Sequence, residues 1–254
     1  MVEAGAGRGA LAKAVLAAAP ACGPALRYVA VERSAALRAQ HPAGVESAGT
    51  LPAEPFAGVV LANELVDNLP FGLVERRPEG WAEVRVTADL AETLVAVDDP
   101  ALAPDAPVGG RIPVQRAARA WVDEARRLAG RVVVIDYADT TPGMARRPWT
   151  DWVRTYRGHG RGRSPLEDLG QQDVTCEVAV DQLPPATSDR SQAEFLRAHG
   201  IEELAYDARR AWQERAHIGD LQALISRSRV HEANALTDEA GLGAFRVLEW
   251  LQGV

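Results

Sequence analysis

Short apolar runs rich in valine alternate with longer stretches of helical periodicity through residue 137. That alternation predicts βαβ units and a mainly parallel sheet. Three strands stand out, at residues 27–32 (RYVAVE), 57–62 (AGVVLA) and 131–137 (RVVVIDY), each almost continuously apolar, as expected of strands covered on both faces. Between them, residues 8–19, 34–40 and 114–129 read as helices, with Ser34 as an N-cap and Gly130 as a stop.

Further along, residues 73–76 and 81–86 flank a Pro-Glu-Gly turn at 78–80 and predict a hairpin insertion near 71–87. Residues 98–113 carry four prolines and two glycines and read as a loop. From 138 to 172 the pattern dissolves into a polar, arginine- and glycine-rich stretch holding Trp149, Trp152 and Tyr156. Loops of that length without structure are uncommon and often functional, so a lid-like insertion is expected near 138–173. Residues 174–180 then read as a strand, 191–199 as a helix ended by Gly200, 207–229 as one further helix and 245–251 as a final strand. The whole is expected to form a single α/β domain over residues 1–254.

Composition narrows the function. The 254 residues are 47% hydrophobic, enough for a full core, and carry a formal net charge of -7, which removes the broad basic footprint of a nucleic-acid binder. Cys22 and Cys176 are far apart, and His41, His199, His217 and His231 have no mutual ligand spacing, so no metal and no disulfide framework is expected. No run approaches the roughly 20 apolar residues of a membrane span, and a reducing, cytoplasmic setting is the expectation. Lys13 is the only lysine, which reflects composition bias and not mechanism. Trp121, Trp212 and Trp250 fall in helical or strand patterns and read as core or interface residues.

The heptad Glu3-Ala4-Gly5-Ala6-Gly7-Arg8-Gly9 stands between a strand end and a helix. Its glycines let the backbone turn tightly and approach a ligand, while the next helix points its N-terminal amides into the same space. Gly5-x-Gly7-x-x-Ala10 fits a dinucleotide fingerprint as well as an adenosyl cofactor, and Glu32 is spaced to hold ribose hydroxyls in either case. The Glu3 carboxylate tilts the choice, since it repels a pyrophosphate and attracts a sulfonium or amino group. A second constellation, Asn63-Glu64-Leu65-Val66-Asp67-Asn68-Leu69-Pro70, lies at the C-terminal end of a strand, where ligands of open α/β sheets sit. The same residues also read as a helix start, with Asn63 as cap and Glu64 and Asp67 favoured by the dipole.

Taken with residues 134–137 (VIDY), Tyr156-Arg157-Gly158-His159 and Gly170-Gln171-Gln172-Asp173-Val174-Thr175, these segments resemble the MidA-like family. That family comprises S-adenosylmethionine-dependent methyltransferases whose mitochondrial member assists respiratory complex I assembly, and residues 245–248 resemble its closing strand. The resemblance implies a class I methyltransferase fold with a Rossmann-like sheet, S-adenosylmethionine as cofactor, and a protein arginine as acceptor in the mitochondrial member. Carried over by position, Glu3, Gly5, Gly7 and Gly9 would line the methionine end of the cofactor and Glu32 would hold its ribose. Asn63, Glu64 and Asp67 would face the transferring methyl, the acids balancing the charge of a cationic acceptor. Tyr156, Arg157, Gln172 and Asp173 would bind substrate from the lid, with His159 as a base.

The cofactor loop begins at residue 3, so the first strand reads as truncated. A gap in the central sheet would expose unpaired backbone, and low stability without cofactor is expected. A protein substrate, a small-molecule substrate, a cofactor-binding assembly role without turnover and a nicotinamide-dependent dehydrogenase remain as readings, with a homodimer among the assemblies allowed.

Overall fold

In a computed structural model the chain is described over residues 1–98, 101–158 and 160–252. It divides into two compact units, one of residues 1–187 with 249–254, the other of residues 188–248.

The first unit opens with β1 (Val2–Ala4), α1 (Ala10–Ala17), β2 (Val29–Val31), α2 (Ala35–Arg38), β3 (Glu46–Ala48) and β4 (Phe56–Asn63). Next come β5 (Gly72–Arg77), β6 (Gly80–Val86), β7 (Glu92–Val97), β8 (Arg111–Val114), α3 (Arg116–Leu128) and β9 (Ala129–Asp136). It continues through β10 (Ala138–Asp139), α4 (Thr141–Ala145), α5 (Trp149–Trp152), β11 (Val153–Arg157), β12 (Gly160–Arg161), β13 (Asp173–Cys176) and β14 (Val178–Ala179). The second unit holds β15 (Ser188–Ser191), α6 (Gln192–Ala198), α7 (Ile201–Arg215) and α8 (Leu221–Thr237), and β16 (Arg246–Leu251) crosses back so that its residues from Glu249 belong to the first.

In the first unit the main sheet runs β16-β9-β4-β1-β2-β3, and the neighbours from β9 to β3 pair in parallel. The fold class expected from the alternation of strands and helices is therefore present. β1 is three residues long, as short as the sequence implies, yet it lies mid-sheet, with Val2 opposite both Val29 and Val60. The expected gap is filled. Chain order reverses at β1, with β2 and β3 on one side and β4 and β9 on the other, which creates the crevice where such sheets bind ligands. Val2, Val60, Val132 and Val134 are buried between the layers, and Ser34 caps α2 by accepting from the Leu37 amide.

Several boundaries differ from those read in the sequence. Gly130 does not stop α3; the strand β9 already begins at Ala129, because Gly130 is accommodated within the sheet. The hairpin at β5 and β6 forms with Arg77 opposite Gly80, but β7 and β8 extend it to an antiparallel sheet ordered β7-β6-β5-β8. Pro113 lies in β8, which residues 98–113 had marked as loop; β8 is an edge strand, where a missing amide is tolerated. Val74, Trp81, Ala103, Ile112 and Ala145 form the core beneath this sheet.

The polar stretch after residue 138 also has structure of its own. β12, β11 and β13 form a three-stranded antiparallel sheet over a cluster of Met144, Trp152, Val153, Cys176 and Ala179, and the Trp152 indole donates to the Met144 carbonyl at 3.1 Å. Few and widely spaced large apolar residues carry this core, so periodicity did not reveal it. The strand expected over residues 174–180 is two pieces, β13 and β14, in different sheets.

In the second unit, α6 starts at a capping box of Ser191 and Glu194. The single helix expected over residues 207–229 is interrupted. α7 ends at Arg215, Gly219 has φ +68°, and Asp220 caps α8 through a 2.9 Å bond from the Ala223 amide. Among the described residues no helix is long and apolar enough to cross a membrane.

Two buried glutamines tie the entry to α3 to the later insertion. Gln115 donates to the Glu177 carbonyl at 2.8 Å and accepts from the Ala179 amide at 2.7 Å, while its own amide donates to the Gln182 side chain at 2.8 Å. Gln182 in turn donates to the Pro113 carbonyl and to the Thr141 hydroxyl, at 2.7 and 2.9 Å. Replacing Gln115 with Leu strands several buried polar groups and is expected to cost about 2–4 kcal/mol, seen as a lower urea midpoint with an unchanged slope.

Candidate functional site

The register of the main sheet brings four strand ends within two residues of one another. Ala4 is opposite Val31 and Ala62, and Asn63 is opposite Ile135, so Gly5, Glu32, Asn63 and Ile135 are level, with Glu64 and Asp136 one residue further on.

The first of these segments is the glycine loop. Gly5 and Ala6 both donate to the Val31 carbonyl, and the Gly7 amide donates to Glu32 at 3.0 Å. Glu32 uses its other oxygen on the Ser34 amide at 2.8 Å, bracing the loop against the following turn. Gly5 has φ +73°, and a Cβ there would meet Leu65 at 3.1 Å; Gly9 has φ +77°, and a Cβ there would come within 2.8 Å of Pro42. Both positions therefore require glycine. Glu3 accepts from the Tyr28 hydroxyl at 2.7 Å. Burial pushes the Glu3 carboxyl up, and the Tyr28 bond opposes that shift. His41 has its Nε2 3.1 Å from the Gly7 carbonyl and belongs to the loop's support.

The second segment follows β4. Glu64 adopts φ +50°, in the left-handed region, and its amide donates to the Ile135 carbonyl at 2.9 Å. Residues Val66–Asn68 then form a 3-10 turn without a side-chain cap, so Asn63 is not a helix cap; its amide lies 3.5 Å from the Glu64 carboxylate. Asp136 organises this turn. One of its oxygens accepts from the Val66 and Asp67 amides at 2.9 and 3.2 Å, and the other from Tyr137 at 3.0 Å. Both Asp67 and Asp136 are buried. Burial, reinforced by the Glu64 charge, pushes Asp67 up to about 6, and burial, reinforced by the Asp67 charge, holds Asp136 well above the usual carboxylate range. The sequence showed Asp136 within a motif without disclosing this role.

The insertion supplies a third side, with β13 packed on the 66–68 turn. Tyr137 carries the Arg154 guanidinium over its ring at 5.2 Å, and its phenol is pushed up by burial and then by Glu64 and Tyr156. Tyr156 lies under Arg161 at 5.2 Å and is opposite Asp173 in the sheet. Tyr137, Tyr156, Glu64 and Asp67 are thus brought together. Arg157 pairs with Asp168 at 3.0 Å, and Gln172 spends its amide on Arg163, Ser164 and Glu167, so both are engaged within the insertion. His159 lies outside the described residues.

Between the glycine loop and α3 lies a cavity of about 340 Å³, within the usual range of roughly 300–1,000 Å³ for small-molecule sites. Gly5, Glu32, Thr50, Leu51, Leu65 and Trp121 are among its walls. Trp121 was read as core or interface; its place three residues before the exposed Glu124 on one amphipathic helix was the available signal.

Comparison with known proteins shows the family. Residues 1–199 match the model of a family described as "Putative S-adenosyl-L-methionine-dependent methyltransferase". The chain belongs to this family. Its fold is similar to that of a "likely methyl transferase" from Burkholderia thailandensis bound to S-adenosyl-homocysteine, with a TM-score of 0.78 and 26% identity over 100% of this chain and 71% of the other. An uncharacterized protein of the same superfamily and organism is similar at a TM-score of 0.74 and 27% identity, over 100% and 74% of the two chains. No curated protein matches. The resemblance read from the four motifs is borne out, and this methyltransferase uses S-adenosylmethionine.

For this methyltransferase the buried acids have a stability consequence. A carboxyl with a raised folded pKa binds its proton more tightly folded than unfolded, so folding is penalised as pH rises from 3.8 through about 6. Asp67→Asn removes that penalty. The variant is expected to be more stable than the wild type by about 1–3 kcal/mol at pH 8, with the gap narrowing toward pH 4.5 in paired thermal melts.

Proposed function

We propose that this methyltransferase acts on a nitrogen of a protein substrate, with an arginine guanidinium as the acceptor. The observation that carries this reading is the acid pair Glu64 and Asp67, with Asn63, at the end of β4 and in contact through Leu65 with the glycine loop. A guanidinium is planar and permanently charged, so carboxylates are suited to orient it and to balance its charge as it loses a proton. A neutral hydroxyl would need them less. The backbone of Glu64 is held in an uncommon conformation, as is frequent where a side chain is aimed for chemistry. An open groove of about 1000 Å³ also begins at Pro70 and Phe71 and runs over β5, β6 and β7, giving room for an acceptor larger than a metabolite.

The cofactor fits the residues present, since Gly5 and Gly9 leave no space for a side chain and the cavity opens beside them. In this reading Gly5, Gly7 and Gly9 would hold its methionine end, with the Glu3 charge beneath, and Glu32 its ribose. When bound it supplies a methyl group already activated by a sulfonium. The chain's own task is then positioning, where orientation contributes roughly 7–11 kcal/mol, and removal of one proton from the acceptor nitrogen. Glu64 would orient the guanidinium, Asn63 would accept from it through its carbonyl, and Asp67 would take the proton above a pH of about 6. Tyr156, Arg157, Gln172, Asp173 and His159 remain the proposed substrate side.

The test is transfer of labelled methyl from S-adenosylmethionine into a cell lysate, separating acid-precipitable protein from solvent-extractable product. Label in protein, released on hydrolysis as methylarginine, is the expected result; label only in the extract would establish a small-molecule acceptor instead. Glu64→Gln is expected to lower transfer by about 10²-fold while S-adenosyl-homocysteine binds within threefold of wild type by calorimetry.

A further inference from the structure

The four-stranded sheet after Pro70 protects its two edges differently. β8, on one edge, carries Pro113 and has α4 packed on it. β7, on the other, has no such cover: among the described residues no strand pairs with its outer side, and all six of its residues are exposed. Its pairing with β6 runs without a bulge, from Val86 opposite Glu92 to Trp81 opposite Val97. Edge strands are usually blunted by a lysine, a proline or a bulge, because a regular row of free amides and carbonyls is a template for another strand. Between Glu92 and Val97 there is neither lysine nor proline. Exposed apolar side chains also flank this row on both faces of the sheet. Leu94 is opposite Val84 and so shares a face with Val86, while Val95 and Val97 lie on the other face, where Val97 borders the groove that begins at Pro70 and Phe71. Leu90, in the turn before β7, is exposed with φ +64°, a conformation uncommon for leucine and not compensated by burial.

Charge selects the kind of strand that fits. Glu92 is paired with Arg111 and Glu83 with Arg85. Asp89, in the turn at one end of β7, accepts from the Thr87 hydroxyl, and Asp98, at the other end, borders the groove; among the described residues no ion pair engages either acid. Arg116, also on the groove, belongs to α3 and not to the edge. A second copy of the chain is disfavoured here, since antiparallel pairing of β7 with β7 about Leu94 and Val95 would set each Asp98 beside residues 89–92 of the other copy, acid against acid. We propose that the outer edge of β7 takes up an extended polypeptide segment with basic residues at its ends, adding it to the sheet as a fifth strand. A segment of about eight residues covers β7 and places one cation near Asp89 and another near Asp98. The groove joins this edge to Phe71 and Pro70, which directly follow the turn carrying Glu64 and Asp67. In the reading of a protein acceptor, on which this last step rests, the added segment belongs to the substrate.

Fluorescence anisotropy with a labelled eight-residue probe tests the strand addition without turnover. The probe alternates Thr and Val between an Arg at each end. One control peptide carries Glu at both ends, and another is the Arg-ended probe with its four central amides N-methylated. Each control is expected to bind about tenfold more weakly than the probe, the first by charge and the second because methylated amides cannot donate to β7. Asp98→Lys, at an exposed position, should weaken the probe by about fivefold and narrow the preference for Arg over Glu ends. Leu94→Lys, which puts the usual guard on the edge, should weaken it by a similar factor. No binding of the probe by the wild type, equal binding of the three peptides, or binding unchanged in both variants would overturn the proposal. So would a wild-type dimer in sedimentation that Leu94→Lys dissociates, which would assign the edge to a second copy. The acceptor reading fails separately: label confined to the solvent extract of a lysate, with the probe bound as expected, would overturn that reading and leave the strand addition standing.

Discussion

The arrangement of the site depends on the register of one parallel sheet. Because Ala4 is level with both Val31 and Ala62, and Asn63 with Ile135, four strands end within two residues of one another and the residues there border a common crevice. A slip of one residue in any pair would turn the side chains of that strand to the opposite face. The valines that fill both faces of β4 and β9 prevent this, since a slip would also misplace Val60, Val132 and Val134, all fully enclosed. The same contacts that make the core therefore hold the glycine loop, Glu32, Glu64 and Asp136 in mutual position. Stability and site geometry are one constraint here, and a β1 of only three residues meets it because it is paired on both edges.

Within that frame the turn after β4 is held by hydrogen bonds to one buried carboxyl. Asp136 gathers the amides of Val66, Asp67 and Tyr137, which satisfies three backbone donors that no strand or helix provides for. The cost is a second buried carboxyl close by, and burial raises the pKa of both acids. An amide side chain at position 67 would avoid that cost. Keeping an acid where a neutral group would be more stable is the pattern of a residue retained for chemistry, as buried titratable groups with shifted pKa values commonly are at functional sites.

How far the sequence disclosed this depends on the kind of signal. The strands at 27–32, 57–62 and 131–137 were legible because continuous apolar runs mark strands buried on both faces, and the glycine heptad because its residue types answer a backbone requirement. β7, β8 and the elements between 138 and 173 were not. Their core is carried by a few large residues such as Trp81 and Trp152, and Pro113 lies on an edge strand where its usual meaning fails. Glu3 illustrates a different loss. Its presence in the motif was plain, but the partner that fixes its direction, the Tyr28 hydroxyl, is set by packing and not by spacing. The place of Trp121 on a cavity wall was not legible for the same reason, since periodicity puts it on a helix without saying which cavity the helix borders.

The site is assembled from parts of different origin. In the proposed reading the cofactor side comes from the strand ends, and its geometry is fixed by the sheet. The other sides come from two insertions, one directly after Pro70 and one after Tyr137, each with its own sheet, whose apolar clusters adjoin through Ala145, Phe71 and Leu73. The links between them and the main sheet are specific: β13 rests on the 66–68 turn, and Gln115 and Gln182 bond across from the start of α3 to the second insertion. Such an insertion can change its surface residues without disturbing the sheet register, because its core is separate. In the proposed reading this separates donor binding from acceptor choice, so residues facing the 1000 Å³ groove are free to vary while Gly5, Gly9 and Asp136 are held by backbone requirements that no other residue type meets as well.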